Sequence, residues 1–395
     1  MPAIPCQILF WLSLAGLFYT FAGYPLLMLC LASKKRAADD NAAAGAAFAV
    51  TVVIAAHNEA AQILPRIENL LASRYPPQLL QILVVSDGST DQTVQKIRSL
   101  SDPRVQVIDH SPRQGKAHAL NLALSLASGD LVVFADARQR FEPDAIARLA
   151  GHFHRPETGA VSGELVIASA GTAAGGGIDA YWRLEKSLRL SEARHDSAIG
   201  CTGAIYAIRR SLYRPIPDDT ILDDVVIPMQ IAVQGFRIGF DPAALAHDPQ
   251  TLEPAREKIR KRRTLAGNYQ MLFRHPAWLL PWRDRLWWQL LSHKYLRLAA
   301  PFLLLLLLGS NALLLHSFFY RLLLFGQCLF YGLAAGGAVF SAGKFPPFSL
   351  PAAFVFLNWM SLAGLWHYLR QSNRSGWEQN HDEKKRVEKP AAKNV

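Results

Sequence analysis

The spacing of apolar and polar positions divides the chain into three zones. Residues 8–31 are uncharged and apolar, long enough to cross a bilayer, and Lys34, Lys35 and Arg36 follow at once. A cleaved leader would carry its basic residues ahead of a shorter core. Residues 1–36 are therefore expected to be an anchor whose C-terminal end faces the cytoplasm, or a hairpin broken at Pro25. From 48 to 275 the pattern changes. Short apolar runs ("AVTVVIAA", "QILVVSD", "RVQVIDH", "DLVVFAD") alternate with helical stretches such as 59–72 and 116–127. That alternation predicts an α/β domain with a mostly parallel sheet and helices on both faces. Further apolar runs at 298–315, 322–340 and 348–369 predict a bundle of about three membrane helices over 298–370. In residues 276–297 tryptophans interleave with basic residues, as in a helix lying at the membrane surface. Residues 37–47 read as a small-residue linker and 371–395 as a charged tail.

Composition sharpens this picture in two ways. The formal net charge of +11 suits a phosphate-bearing partner, and with no nucleic-acid-binding motif in the chain this points to anionic lipid or a nucleotide. The four cysteines, at 6, 30, 201 and 328, form neither a disulfide framework nor a zinc site. The membrane runs carry no acidic residue to couple transport. Three crossings after a cytoplasmic domain would put the C-terminus outside. Arg370, Arg374, Lys384, Lys385 and Arg386 argue for the inside, so topology stays open between three crossings and a re-entrant run.

In parallel sheets ligands bind beyond the carboxyl ends of the strands. Here those ends read "AAHNEA", "SDGSTD" and "ADAR". Within "DGSTD", Gly88 permits a tight turn, Ser89 or Thr90 can cap the next helix, and Asp87 can accept a hydrogen bond from a nucleobase. "RQGKAHALN" sets Gly115 and Lys116 at a helix start, where backbone N–H groups and a cation favour phosphate. "ILDDVVIP" holds Asp223 and Asp224 among apolar residues. A carboxylate in such a cleft has a raised pKa and can serve as a general base; the plainer reading is an N-terminal helix pair. Six basic residues between 256 and 263 can touch anionic lipid or clamp a diphosphate.

In this order the motifs resemble the family-2 glycosyltransferases of GT-A fold, nearest the membrane-integrated branch of cellulose, hyaluronan and poly-N-acetylglucosamine synthases. The resemblance implies nucleotide contacts from Ala55, Glu59 and Asp87, and a phosphate-side role for Lys116. "ADARQRFEP" matches the metal motif, with Asp136 as the divalent-cation ligand (Mg2+ or Mn2+). "LDD" matches the family's Thr-Glu-Asp, with Asp224 at the base and Asp223 beside it. "GCTGAIYAIRR" is similar to the acceptor-side loop. Two departures stand out. Arg138 replaces the second metal-binding aspartate, where it would repel the ion and could itself neutralise the diphosphate. "RKRRT" offers Arg260 and Arg263 for the glutamine and arginine of Gln-x-x-Arg-Trp but Thr264 for the tryptophan, which weakens the case for processive synthesis.

The expectation is an inverting glycosyltransferase of the inner membrane. It would use a UDP-sugar or similar donor and a polysaccharide or lipid-linked acceptor, touching membrane lipids but no nucleic acid. The competing expectation is a non-catalytic nucleotide- or polysaccharide-binding subunit of a partner synthase.

Overall fold

The computed structural model describes residues 3–34, 47–167, 175–249, 254–339 and 346–370. The strands are β1 (Val50–Ala56), β2 (Leu80–Asp87), β3 (Val105–His110), β4 (Leu131–Ala135), β5 (Arg140–Phe141), β6 (Thr158–Ile167), β7 (Ile205–Arg209) and β8 (Arg237–Asp248). They form one sheet in the order β3-β2-β1-β4-β7-β6-β8-β5. From β3 to β4 it is parallel. Beyond that it is mixed, because β7 runs antiparallel to β4 and β6 while β6 and β8 run parallel. The sheet is thus mostly parallel, as expected, with antiparallel pairings confined to its second half.

The first helices are α1 (Ala3–Phe18), α2 (Tyr24–Lys34), α3 (Ile63–Leu71), α4 (Thr93–Arg98), α5 (Lys116–Leu126), α6 (Ala145–Gly151) and α7 (Gly175–His195). They are followed by α8 (Asp223–Val233), α9 (Pro254–Arg274), α10 (Trp287–Leu290), α11 (Leu296–Ala312), α12 (Phe318–Val339) and α13 (Pro346–Arg370). Alternation along β1 explains the layering. Val50, Val52 and Ile54 pack with Ile63, Ile67 and Leu70 of α3 and with Ile146 and Leu149 of α6. Val53 faces the other way, toward Leu120 of α5 and Val226 and Met229 of α8.

Among the described residues four helical segments are long and apolar enough to cross a membrane: Ile4–Ser33, Trp287–Ala312, Phe318–Gly337 and Pro347–Arg370. The first is continuous, so the hairpin reading gives way. A π-turn at Tyr19–Gly23 widens the helix just before Pro25, where an α-helical proline would clash with the preceding turn. The expected surface helix over 276–297 is not a unit. Pro276–Leu279 is an isolated 3-10 turn, whereas Trp287 begins a helix that runs through a π-turn at Leu291–Tyr295 into α11. Trp287 and Trp288 thus belong to the start of an apolar helix, whereas Trp278 lies in the 3-10 turn. Most of the linker and the whole charged tail lie outside the described residues.

Candidate active site

Register brings the three polar strand ends together. Ala56 pairs with Ser86, and Ile54 with Ala135. The loops after β1 and β2 are then stitched to each other. Asn58, at φ 55°, accepts Thr90 N–H at 2.8 Å, while its own N–H donates to Ser89 Oγ at 3.1 Å. Glu59 N–H donates to Thr93 Oγ1, and Ala60 N–H to Asp91 Oδ2. The helix cap expected of Ser89 or Thr90 falls instead to Asp91, whose carboxylate accepts Thr93 N–H at 3.0 Å. Desolvation works against the Asp91 carboxylate, but its hydrogen bonds from Thr93 and Ala60 prevail and hold its pKa below the usual range. Ala55 is half-buried and packs against the α5–α8 core, and Glu59 is half-buried at the crevice rim.

The Asp87 side chain is fully buried, and its two oxygens accept Gln114 N–H at 2.8 Å and Gly115 N–H at 2.7 Å. It thereby ties the end of β2 to the turn before α5. Gly88, at φ 64°, lets the turn approach, since a Cβ there would lie 2.9 Å from Arg113 N. Gly115 has φ 104° and delivers the chain into α5 with Lys116 as its first residue.

Lys116 is the centre of the constellation. Its Nζ lies 3.3 Å from Asp136 Oδ1 at the end of β4 and 3.3 Å from Asp223 Oδ2 at the start of α8. Burial alone would lower the lysine pKa. Asp136, Asp223 and Asp224 outweigh it, so the ammonium form is held. Beneath Asp136 sits a buried arginine, Arg66 of α3, which donates from Nε to the Asp136 carbonyl at 3.1 Å and lies 4.0 Å over the Phe141 ring. Burial lowers its pKa to about 9.

Arg138 also departs from expectation. Its Nη2 lies 3.1 Å from Asp248 Oδ2 at the end of β8, an oxygen that also accepts from Gln139 Nε2. Much of the charge expected to repel a cation or meet a diphosphate is thus answered from within the protein.

Asp223 and Asp224 open α8, where the helix dipole favours carboxylates. Asp224 is gripped by the loop before β7. Cys201 N–H donates to its carbonyl at 2.7 Å and Gly203 N–H to its Oδ2 at 3.1 Å. Gly203 must lack a side chain, because a Cβ would stand 2.9 Å from that oxygen. Desolvation, and next the charge of Asp223, raise the Asp224 pKa to about 6 against the pull of Lys116, Lys294 and Arg189. A carboxylate so poised is ionised at neutral pH yet basic enough to take a proton.

From α9, Arg263 is close enough to lower the Lys116 pKa, and Arg260 lies one turn before it on the same helix. Gln270 of α9 accepts Ile221 N–H at 3.0 Å, which fixes the segment leading into Asp223. Arg66, Arg189, Gly203 and Asp248 escape the sequence reading. Only Gly203 carried a local signal, within the "GCTGAIY" loop.

Among the described residues no three His, Cys, Asp or Glu side chains converge to hold a metal ion. Asp136 offers one carboxylate, 40% exposed, with the Lys116 ammonium beside it. That donor set fits a hard cation arriving with diphosphate oxygens and waters, and not a resident ion held by protein alone.

Residues 51–216 match the family described as Glycosyl transferase family 2. A poly-beta-1,6-N-acetyl-D-glucosamine synthase of Staphylococcus aureus is 26% identical over 202 residues, covering 50% of this chain and 48% of that one. An N-acetylglucosaminyltransferase of Rhizobium meliloti is 30% identical over 235 residues, covering 54% and 55%. The chain spans about half the length of these curated relatives. Among solved structures, a mannosyltransferase from Pyrobaculum calidifontis in complex with GDP-Man and Mn2+ aligns over 93% of this chain and 100% of that one, with a TM-score of 0.67 and 24% identity. That likeness concerns the fold, which is the GT-A fold expected from the sequence.

Proposed function

Residues 51–216 form a family 2 glycosyltransferase domain, and from this premise we propose that the protein inverts and transfers a sugar from a nucleotide-diphosphate donor to a polysaccharide or lipid-linked acceptor at the cytoplasmic membrane face. The observation that carries the reading is Lys116, held 3.3 Å from both Asp136 and Asp223 beside a base whose pKa is raised to about 6. Asp224 takes the proton of the acceptor hydroxyl, which attacks the anomeric carbon from the face opposite the leaving group. Lys116 and Arg263 draw charge from the departing diphosphate. Asp136 would hold a divalent cation brought with the donor, and such an ion supplies further neutralisation of the phosphates. The test is nucleotide release by detergent-purified protein given UDP-, GDP- and TDP-sugars with membrane lipids as acceptor. We expect release with Mg2+ or Mn2+ and its loss in EDTA. Release that survives EDTA would remove the cation from the scheme, and tight nucleotide binding without release from any donor would favour the subunit reading.

For the membrane arrangement we propose three crossings, a reading that the packing of α13 supports. Tyr19 hydrogen-bonds Ser292, a Cβ at Gly16 would touch Leu303, and Phe10 meets Tyr320, so α1, α11 and the start of α12 pack on one another. α13 packs on the catalytic domain as well as on α12, where Phe354 meets Phe330. Ser361 and Tyr269 of α9 share a hydrogen bond of 3.2 Å, a Cβ at Gly364 would press on Leu265, and Tyr368 stacks on Phe273 at 5.6 Å. Three crossings, with α13 lying on the cytoplasmic face, keep the basic tail inside as charge bias demands. A C-terminal reporter should therefore read cytoplasmic; a periplasmic signal would require α13 to cross.

A further inference from the structure

A buried charge cluster lies behind the acceptor side of the site. His293 is 1% exposed and Glu192 fully buried. Both ring nitrogens of His293 face carboxylates: Nδ1 lies 2.8 and 3.0 Å from the Glu192 oxygens, and Nε2 lies 2.7 Å from Glu185 Oε1. A neutral imidazole has one N–H, so only the imidazolium donates to both. Arg297 Nη1 donates to the other Glu185 oxygen at 2.7 Å, and the Tyr24 hydroxyl of α2 donates to Glu192. Lys294 completes the charged groups facing the cluster from this helix, and Arg189 those from α7. Three elements meet here: the first apolar helix, α7, and the helix that enters the membrane at Trp287.

The geometry reaches the site through α7. Glu185, Arg189 and Glu192 are spaced i, i+4, i+7 and share one helical face. Between the two glutamates, Arg189 donates to Thr202 Oγ1 at 3.0 Å and to the Cys201 carbonyl at 3.3 Å. That is the loop whose Cys201 and Gly203 N–H groups hold Asp224. We propose that His293, as an imidazolium between Glu185 and Glu192, is a positioning residue that sets α7 against the membrane-entry helix and so keeps Arg189 on the loop around Asp224. The inference rests on the transfer reading only in calling Asp224 the base.

A native reporter tests it without substrate. Cys201 lies in that loop at 2% exposure, and burial pushes its thiol pKa up. In full-length, detergent-solubilised protein with Cys6, Cys30 and Cys328 replaced by alanine, N-ethylmaleimide modification of Cys201 should be slow. His293→Gln, Glu192→Gln and Arg189→Met should each speed it at least tenfold while a cooperative melting transition remains. His293→Lys, which keeps a cation with several donors, should restore slow modification. Fast modification in His293→Lys would overturn the proposal, as would slow modification in His293→Gln or in Arg189→Met. If nucleotide release has been found, His293→Gln should also lower kcat at least tenfold with donor KM within twofold. If it has not, the transfer reading fails while the thiol measurement still decides this one.

Discussion

The nucleotide-side half of the domain and its membrane-side half are held together differently. On the nucleotide side, β1, β2 and β4 end in register and their loops are tied by backbone N–H groups to short side chains: Asn58 to Thr90, Asp91 to Thr93, Asp87 to Gln114 and Gly115. On the membrane side, α7 and α9 are joined to the segments leading into α11 and α8 by side chains over large sequence separations, as in Glu192 with His293 and Arg274 with Asp219. The first mode makes a rigid cradle with few adjustable parts. The second makes a cleft whose shape depends on charges being present and paired. A base held between the two inherits rigidity from one and tunability from the other.

The sharpest way to break this comparison is at the base itself. Asp224→Asn should cut kcat by roughly 10²–10⁴-fold, the range general-base catalysis supplies, with nucleotide affinity unchanged in isothermal titration. Loss of affinity alongside would mean that Asp224 serves the nucleotide side too. Next in size, Asp87→Ala strips one buried and one part-buried N–H group of their acceptor. It should destabilise the domain by about 2–4 kcal/mol in a denaturant titration and weaken nucleotide binding. Unchanged binding would show that the turn before α5 holds itself. The smallest effect tests the electrostatics. The acid limb of kcat should fall as pH drops through about 6, because Asp224 must be ionised to accept a proton. Removing the like charge in Asp223→Asn lowers the Asp224 pKa, so this limb should move to lower pH. A limb that stays in place would assign it to another group.

Legibility in the sequence follows the same division. The strand ends, the Gly115–Lys116 helix start and the Asp223–Asp224 pair could be read because each is local: a period of two ending in turn residues, or acids ahead of an apolar helix. The orientation of Asp87 could not, since accepting from a neighbouring turn or from a base demands the same residue type. The partner of Arg138 lies 110 positions away on β8, where no pattern announces it. The cluster of Glu185, Glu192 and His293 spans α7 and the membrane-entry helix, and each residue alone looks like an ordinary surface charge. Hydropathy marks α13 as apolar enough to cross a membrane, but it does not see that the same helix packs on α9.

Placing α13 against α9 bears on how the protein is made. The core between α5 and α8 also includes Trp278, Leu286, Leu290, Tyr295 and Leu298, with Leu365 and Tyr368 packed against it. The last part of that core thus emerges from the ribosome well after the sheet has been synthesised, a delay of roughly 6–24 s at ordinary elongation rates. Two helices long and apolar enough to cross a membrane are made during this interval. A nascent chain released early would carry a domain with its base cleft open on one side, so quality control has a natural point at which to recognise unfinished copies.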